Sequence, residues 1–98
     1  MNKIIMQLWE ESERGFGTRP DGCSLHSDVA ERDKFIRMIY EGRGSEVPDV
    51  YDRVVGDGMV AFVDDKLFNV IKRDGSVKIF QSDLNNLLKL EEIIVKNK

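Results

Sequence analysis

Residues Ser12–His26 read SERGFGTRPDGCSLH and hold three glycines, a proline, two arginines and the chain's only cysteine and only histidine. Gly15 and Gly17 permit backbone angles that other residues avoid. Arg19-Pro20-Asp21-Gly22 has the chemistry of a tight turn, with Pro20 presetting φ at its second position and Gly22 supplying freedom at its fourth. The expectation is a built, solvent-facing loop that the rest of the fold holds in place. Small α+β domains keep ligand and partner contacts in such loops.

Upstream, Lys3–Trp9 alternates Ile4, Met6 and Leu8 with Ile5, Gln7 and Trp9, which predicts a first strand. Downstream, Asp28 followed by Glu31 reads as a capping box. It opens a helix over Val29–Glu41 whose stripe is Val29, Ile36, Ile39 and Tyr40, and Gly42 and Gly44 stop it. The helix N-terminus therefore lies beside His26, with its positive end toward the loop.

Farther on, Glu46–Gly58 is expected to be irregular, because Pro48 pushes Val47 away from helical angles and Gly56-Asp57-Gly58 makes a second turn. Met59–Val63 reads as a strand. Leu67, Phe68, Val70 and Ile71 have helical spacing behind Asp64-Asp65, with a β-meander over Asp64–Arg73 as the alternative. After a turn at Arg73-Asp74-Gly75, Ser76–Phe80 alternates as a further strand. Ser82 or Asp83 caps a last helix on Leu84, Leu87 and Leu88 that runs to about Leu90, and Glu91–Lys96 either continues it or forms a short β segment. The sum is a single α+β domain over residues 1–98, a small mainly antiparallel sheet of about three strands against two or three helices.

Composition narrows the classes of function. Ninety-eight residues, 41% hydrophobic and 34% charged, make one soluble domain with one core. The apolar runs are far shorter than the roughly 20 residues that span a bilayer, and no signal-peptide pattern is present, so a cytoplasmic setting without membrane partners is expected. A lone cysteine forms no internal disulfide, which suits a reducing compartment. The net charge of −3 is uneven, with five acidic residues against Arg53 alone between Val47 and Asp65, and seven basic against four acidic from Lys66 onward. A nucleic-acid binder normally carries a basic face with exposed aromatics, so direct nucleic-acid binding is not expected.

No motif in the chain specifies a reaction or a cofactor. The spacing of Gly15, Gly17 and Gly22 matches neither the dinucleotide fingerprint nor the P-loop. A looser anion site would combine Arg14, Arg19 and the helix N-terminus with Trp9 or Phe16 as a stacking surface, and the plainer reading pairs the arginines with Glu10, Glu11 or Asp21. Cys23 and His26 would need further ligands, such as Asp21 or Asp28, to hold a metal, and an orienting group to act as a dyad. The plainer reading makes Cys23 a small buried residue and His26 a link between loop and helix. Ser24, His26 and Asp28 are near in sequence, which is not the geometry of a triad. Glu10, Glu11, Glu13 and His26 are the acid/base candidates. The acidic run from Glu46 to Asp65 is either a solvated loop or a surface for a basic partner. Ile93–Val95 offers apolar surface for a homodimer.

The run LWEESERGFGTRPDGCSLH (Leu8–His26), the capped helix ending near Tyr40 and the segment Val47-Pro48-Asp49-x-Tyr51 resemble a group of small phage and prophage-encoded proteins of unassigned activity. The likeness spans Leu8 to about Phe80. It implies an accessory factor that blocks a host defence, as anti-CRISPR proteins do, by binding a protein, a nucleotide signal or a nucleic-acid complex. It supplies no catalytic residues. The resulting expectation is a non-enzymatic inhibitor that meets a host protein or defence complex through Trp9, Arg14, Arg19, Asp21, Ser24, His26, Asp49 and Asp52. The alternative is a binder of a nucleotide or other phosphate-bearing ligand, or a small enzyme, using the Arg14–His26 loop.

Overall fold

The computed structural model describes residues 2–42 and 49–80 and the backbone of 94–96. Its elements are β1 (Asn2–Glu13), β2 (Gly17–His26), α1 (Val29–Glu41), β3 (Val50–Val63), α2 (Asp65–Asp74), β4 (Ser76–Ile79) and β5 (Ile94–Lys96). Four antiparallel strands form a sheet in the order β4-β2-β1-β3, and the three-residue β5 extends it at the β3 edge. The α+β class stands, with more strands than the sequence reading counted.

The largest departure is in the stretch read as a loop. Gly17–His26 is a strand, and only Arg14–Phe16 turn between it and β1. Gly15 (φ 82°) and Gly17 (φ 84°) take the left-handed angles the reversal needs. The tight turn expected at Arg19–Gly22 is a bulge instead: Leu8 pairs with Cys23 and Glu10 with Pro20, so Trp9 alone faces both Asp21 and Gly22, the latter at φ 81°. Pro20 lacks an N–H to donate, and it is tolerated because β4 covers β2 only from Cys23 to His26.

The irregular segment expected up to Gly58 is likewise a strand from Val50 onward, paired with β1 along its length. Between the pairs Met6–Met59 and Leu8–Val55, Gln7 faces Gly56-Asp57-Gly58. That bulge explains why two glycines looked like a turn in sequence. The Gln7 side chain satisfies the interrupted ladder, its Nε2 donating to the Val55 and Gly56 carbonyls at 3.1 Å each, while its Oε1 accepts from Arg32 Nε at 2.8 Å.

The helices follow their local signals. Asp28 accepts from the Glu31 amide at 2.8 Å and Asp64 from the Leu67 amide at 2.8 Å, and α1 keeps the expected bounds. The helix reading of the Leu67–Ile71 segment holds over the meander. Gly75 at φ 81° closes α2, donating to the Ile71 carbonyl at 2.7 Å. The helix expected over Ser82–Leu90 and the stop at Gly44 lie outside the described residues. At the C-terminus the short β alternative holds for Ile94–Lys96, which pairs with Ala61–Val63 of the same chain.

The sheet separates two unlike interiors. On one face Ile4, Cys23, Leu25, Ala61 and Val63 bury with Ile71 of α2, joined by Met6, Leu67, Phe68, Val77 and Ile79. Ile71 has no exposed surface and anchors α2, so truncating it to alanine would cost about 2–5 kcal/mol. The opposite face lies under α1 and is polar. There Gln7, Ser24 and His26 are fully buried beside Trp9, Phe35 and Tyr40.

Candidate functional site: the hairpin arm and the cavity at its base

Beyond the bulges, β1, β2 and β3 continue as a three-stranded arm. Glu13 pairs with Gly17 on one side and Val50 on the other, so the arm is laddered to its end. Ion pairs stiffen it across the strands: Arg19 bridges Glu11 and Glu13, and Arg53 pairs with Glu10. At the tip the Arg14 amide donates to the Asp49 carbonyl at 2.8 Å, and the two side chains approach to 3.7 Å. Phe16 sits on this turn with 80% of its surface exposed.

At the base of the arm three carboxylates converge. Oxygens of Glu11, Asp21 and Asp52 lie within 4.8 Å of one another. Lys78 from β4 donates to the Asp21 carbonyl at 2.6 Å, and its Nζ is 3.6 Å from the Asp21 carboxylate. The Asp52 carboxyl lies beside that of Asp21. Burial chiefly, then hydrogen bonding to Asp21 and its charge, push Asp52 up to about 6, while the Lys78 charge pulls the other way. With Glu11 engaged by Arg19 and Asp21 by Lys78, two of the three carboxylates a cation would need are already compensated.

Between this cluster and α1 lies a cavity of about 260 Å³ lined by Trp9, Phe35, Ile39, Asp52, Lys78 and Phe80. The Lys78 ammonium stands 5.4 Å from the Trp9 ring centre and 5.8 Å from that of Phe80.

Deeper in, the polar interior closes on itself. Trp9 Nε1, a donor only, gives its hydrogen to Ser24 Oγ at 2.7 Å. Ser24 Oγ is 2.7 Å from His26 Nε2, and His26 Nδ1 is 2.6 Å from Ser76 Oγ. Every donor meets an acceptor when Ser24 donates to Nε2 and Nδ1–H donates to Ser76, which makes His26 neutral. Burial, with the Arg32 charge second, lowers His26 to about 4. Cys23 is on the apolar side of the sheet, and burial pushes its thiol up to about 11.

The residues expected to share one contact surface therefore divide into four groups. Arg14 and Asp49 meet at the tip, where Phe16 joins them. Asp21 and Asp52 meet at the base, with Trp9 behind them. Arg19 braces the arm. Ser24 and His26 are sealed inside with their side-chain polar atoms matched, so they are withdrawn from any contact surface, and the solvent-facing loop expected between Arg14 and His26 does not form. Lys78, Phe35 and Phe80 were missed, because pairing of Ser24 with Lys78 across β2 and β4 is a long-range event with no local signal. No helix of the described residues is long and apolar enough to cross a membrane. No family model, curated protein or solved structure matches this chain.

Proposed function

We propose that the chain is a non-enzymatic binding protein that engages a protein partner through the tip of the hairpin arm. The observation that carries this reading is Phe16, a large apolar side chain 80% exposed at the end of a braced projection. Exposing an aromatic ring to water on a rigid support costs solvation in the free protein, and burial in a partner's pocket recovers it. Arg14 and Asp49 flank it with opposite charges on side chains 86% and 80% exposed. Buried aromatic anchors beside an arginine are the usual energetic centre of a protein interface.

Support for catalysis is weaker at each candidate. His26 is neutral and sealed, Cys23 is a buried thiol, and Glu10, Glu11 and Glu13 are engaged by arginines. The phosphate-bearing ligand also has less support. Arg19 is spent on two glutamates, and the Asp28 carboxylate already sits at the N-terminus of α1, accepting from the Glu31 amide. The sequence resemblance supplies the first partners to try, effector complexes of bacterial defence systems that a phage-encoded inhibitor would block.

The test is coelution of the purified chain with such complexes, scored with Phe16→Ala and Arg14→Glu. Loss of an anchor of this kind weakens binding by about tenfold or more, with the melting temperature unchanged. Coelution that survives both substitutions refutes the tip as the contact, and failure with every defence complex refutes the inhibitor role.

A further inference from the structure

We propose that the cavity under the C-terminal half of α1 binds a small organic monocation with an apolar body, its charge beside Asp52 and its body against Trp9, Phe35 and Phe80. This site is separate from the hairpin tip and does not rest on the reading given for it.

The argument starts from how the charges pair. Arg19 answers Glu11, and Lys78 answers Asp21. Asp52, the carboxylate that lines the cavity, is in no ion pair with a lysine or arginine among the described residues, and the Lys78 charge reaches it only from that residue's place beside Asp21. A half-buried anion left in this way is unfavourable until a positive charge meets it or a proton neutralises it. The cavity walls are suited to the first solution. Aromatic faces attract cations, and Lys78 already shows the effect at this place by lying over the Trp9 and Phe80 rings.

The same features exclude other ligand classes. An anion would meet Asp52 with the Glu11 and Asp21 carboxylates behind it, against Lys78 alone among the lining cations and that one already engaged by Asp21, and a neutral apolar molecule would deepen the burial of Asp52. A hard metal ion needs about six oxygen ligands, whereas the cavity is walled mostly by carbon. An ammonium on an apolar frame small enough for about 260 Å³ satisfies both the charge and the walls.

Trp9 is the chain's only tryptophan and lines the cavity, so its fluorescence reports occupancy directly. The experiment titrates the whole chain with choline and with its neutral isostere, in which carbon replaces the ammonium nitrogen. The expected result is a saturable change in Trp9 emission with choline, and binding of the isostere weaker by about tenfold or more, the loss of one charge interaction in a partly solvated site.

Asp52→Asn should weaken choline to a similar degree while an unchanged urea profile of the Trp9 signal near neutral pH, or a more stable one, shows that the chain is folded. Phe80→Ala, at a ring 56% exposed, should weaken choline severalfold without altering the melt. Choline binding should also fade as Asp52 takes up its proton below about pH 6, against the background of Glu11, Asp21 and Lys78. Phe16→Ala should leave choline binding intact, which separates this site from the tip. The proposal is overturned by an absence of saturable binding, by an isostere that binds as well as choline, by an Asp52→Asn chain that binds as the parent does, or by calcium competing choline away through the carboxylates alone.

Discussion

Ser24→Ala should be among the most damaging conservative changes in the chain, although it removes one oxygen atom. Ser24 is fully buried, and its hydroxyl is the partner of two other buried groups, Trp9 Nε1 at 2.7 Å and His26 Nε2 at 2.7 Å. Trp9 is 3% exposed and His26 has no exposed surface, so water does not replace the lost oxygen without opening the sheet from α1. Each buried polar group left without a partner costs about 1–3 kcal/mol, which places the substitution near 2–5 kcal/mol. Turning the imidazole to its other tautomer does not help, because the indole N–H still lacks an acceptor. Domains of this size hold roughly 5–15 kcal/mol in total, and each kcal/mol moves the midpoint by about 4–8 °C, so the melting temperature should fall by roughly 8–40 °C. The assay is urea and thermal unfolding followed by Trp9 fluorescence and far-UV circular dichroism. Ser76→Ala is the control: Ser76 is half-buried, its site admits water, and its loss should cost under about 1 kcal/mol. A Ser24→Ala chain within about 0.5 kcal/mol of the parent would refute the closed network.

Three further outcomes follow from the same geometry. His26, ordinarily near 6.5 and lowered here to about 4, adds stability that is complete above its unfolded value and is lost as pH falls toward 4, worth about 3 kcal/mol at most. Asp52 works in the opposite sense: raised from 3.8 to about 6, it favours folding at low pH and loses that contribution as pH rises through about 6. The two oppose each other between about pH 4 and 6, so Asp52→Asn should steepen the acid side of the stability profile and raise stability above pH 6. Parallel urea profiles for the two chains would disprove this. Gly58→Ala should destabilise by about 1–3 kcal/mol, because the new Cβ would lie 2.9 Å from Arg32 Cδ, Arg32 Nε and Ile5 Cγ2 and would push Arg32 off Gln7. Equilibrium unfolding that matches the parent would show that Arg32 moves freely. Cys23 should resist alkylation at neutral pH until the chain unfolds, and labelling at the rate of a free thiol would contradict its burial and its position near 11.

The site was partly legible. Asp21, Asp52 and Trp9 were singled out and do converge, and Arg14 meets Asp49. Ser24 and His26 were placed at the surface because Gly15, Gly17, Pro20 and Gly22 made the stretch around them read as a solvent-facing loop. The structure buries them because β2 is flanked by β1 and β4, and α1 lays Phe35 over His26 at 5.3 Å. Lys78 and Phe80 could not be tied to the cluster from their own neighbours in sequence.

What the residues determined alone were the features whose causes lie within four positions. Asp28 and Asp64 reach amides three residues on, so both helix starts were readable, as were the stop at Gly42 and the Ile36, Ile39 and Tyr40 part of the α1 stripe, whereas Val29, read into the same stripe, is exposed. What only the tertiary structure decided was the identity of Gly17–His26 and Val50–Gly58. Glycine, proline and aspartate argue for turns when read along the chain, but β1 supplies partners to both segments across the sheet, and the bulges at Gly22 and Gly56–Gly58 absorb the residues that do not fit the ladder. Strand formation depends on that pairing more than on intrinsic preference, because a strand's hydrogen bonds lie on its neighbours and not on itself.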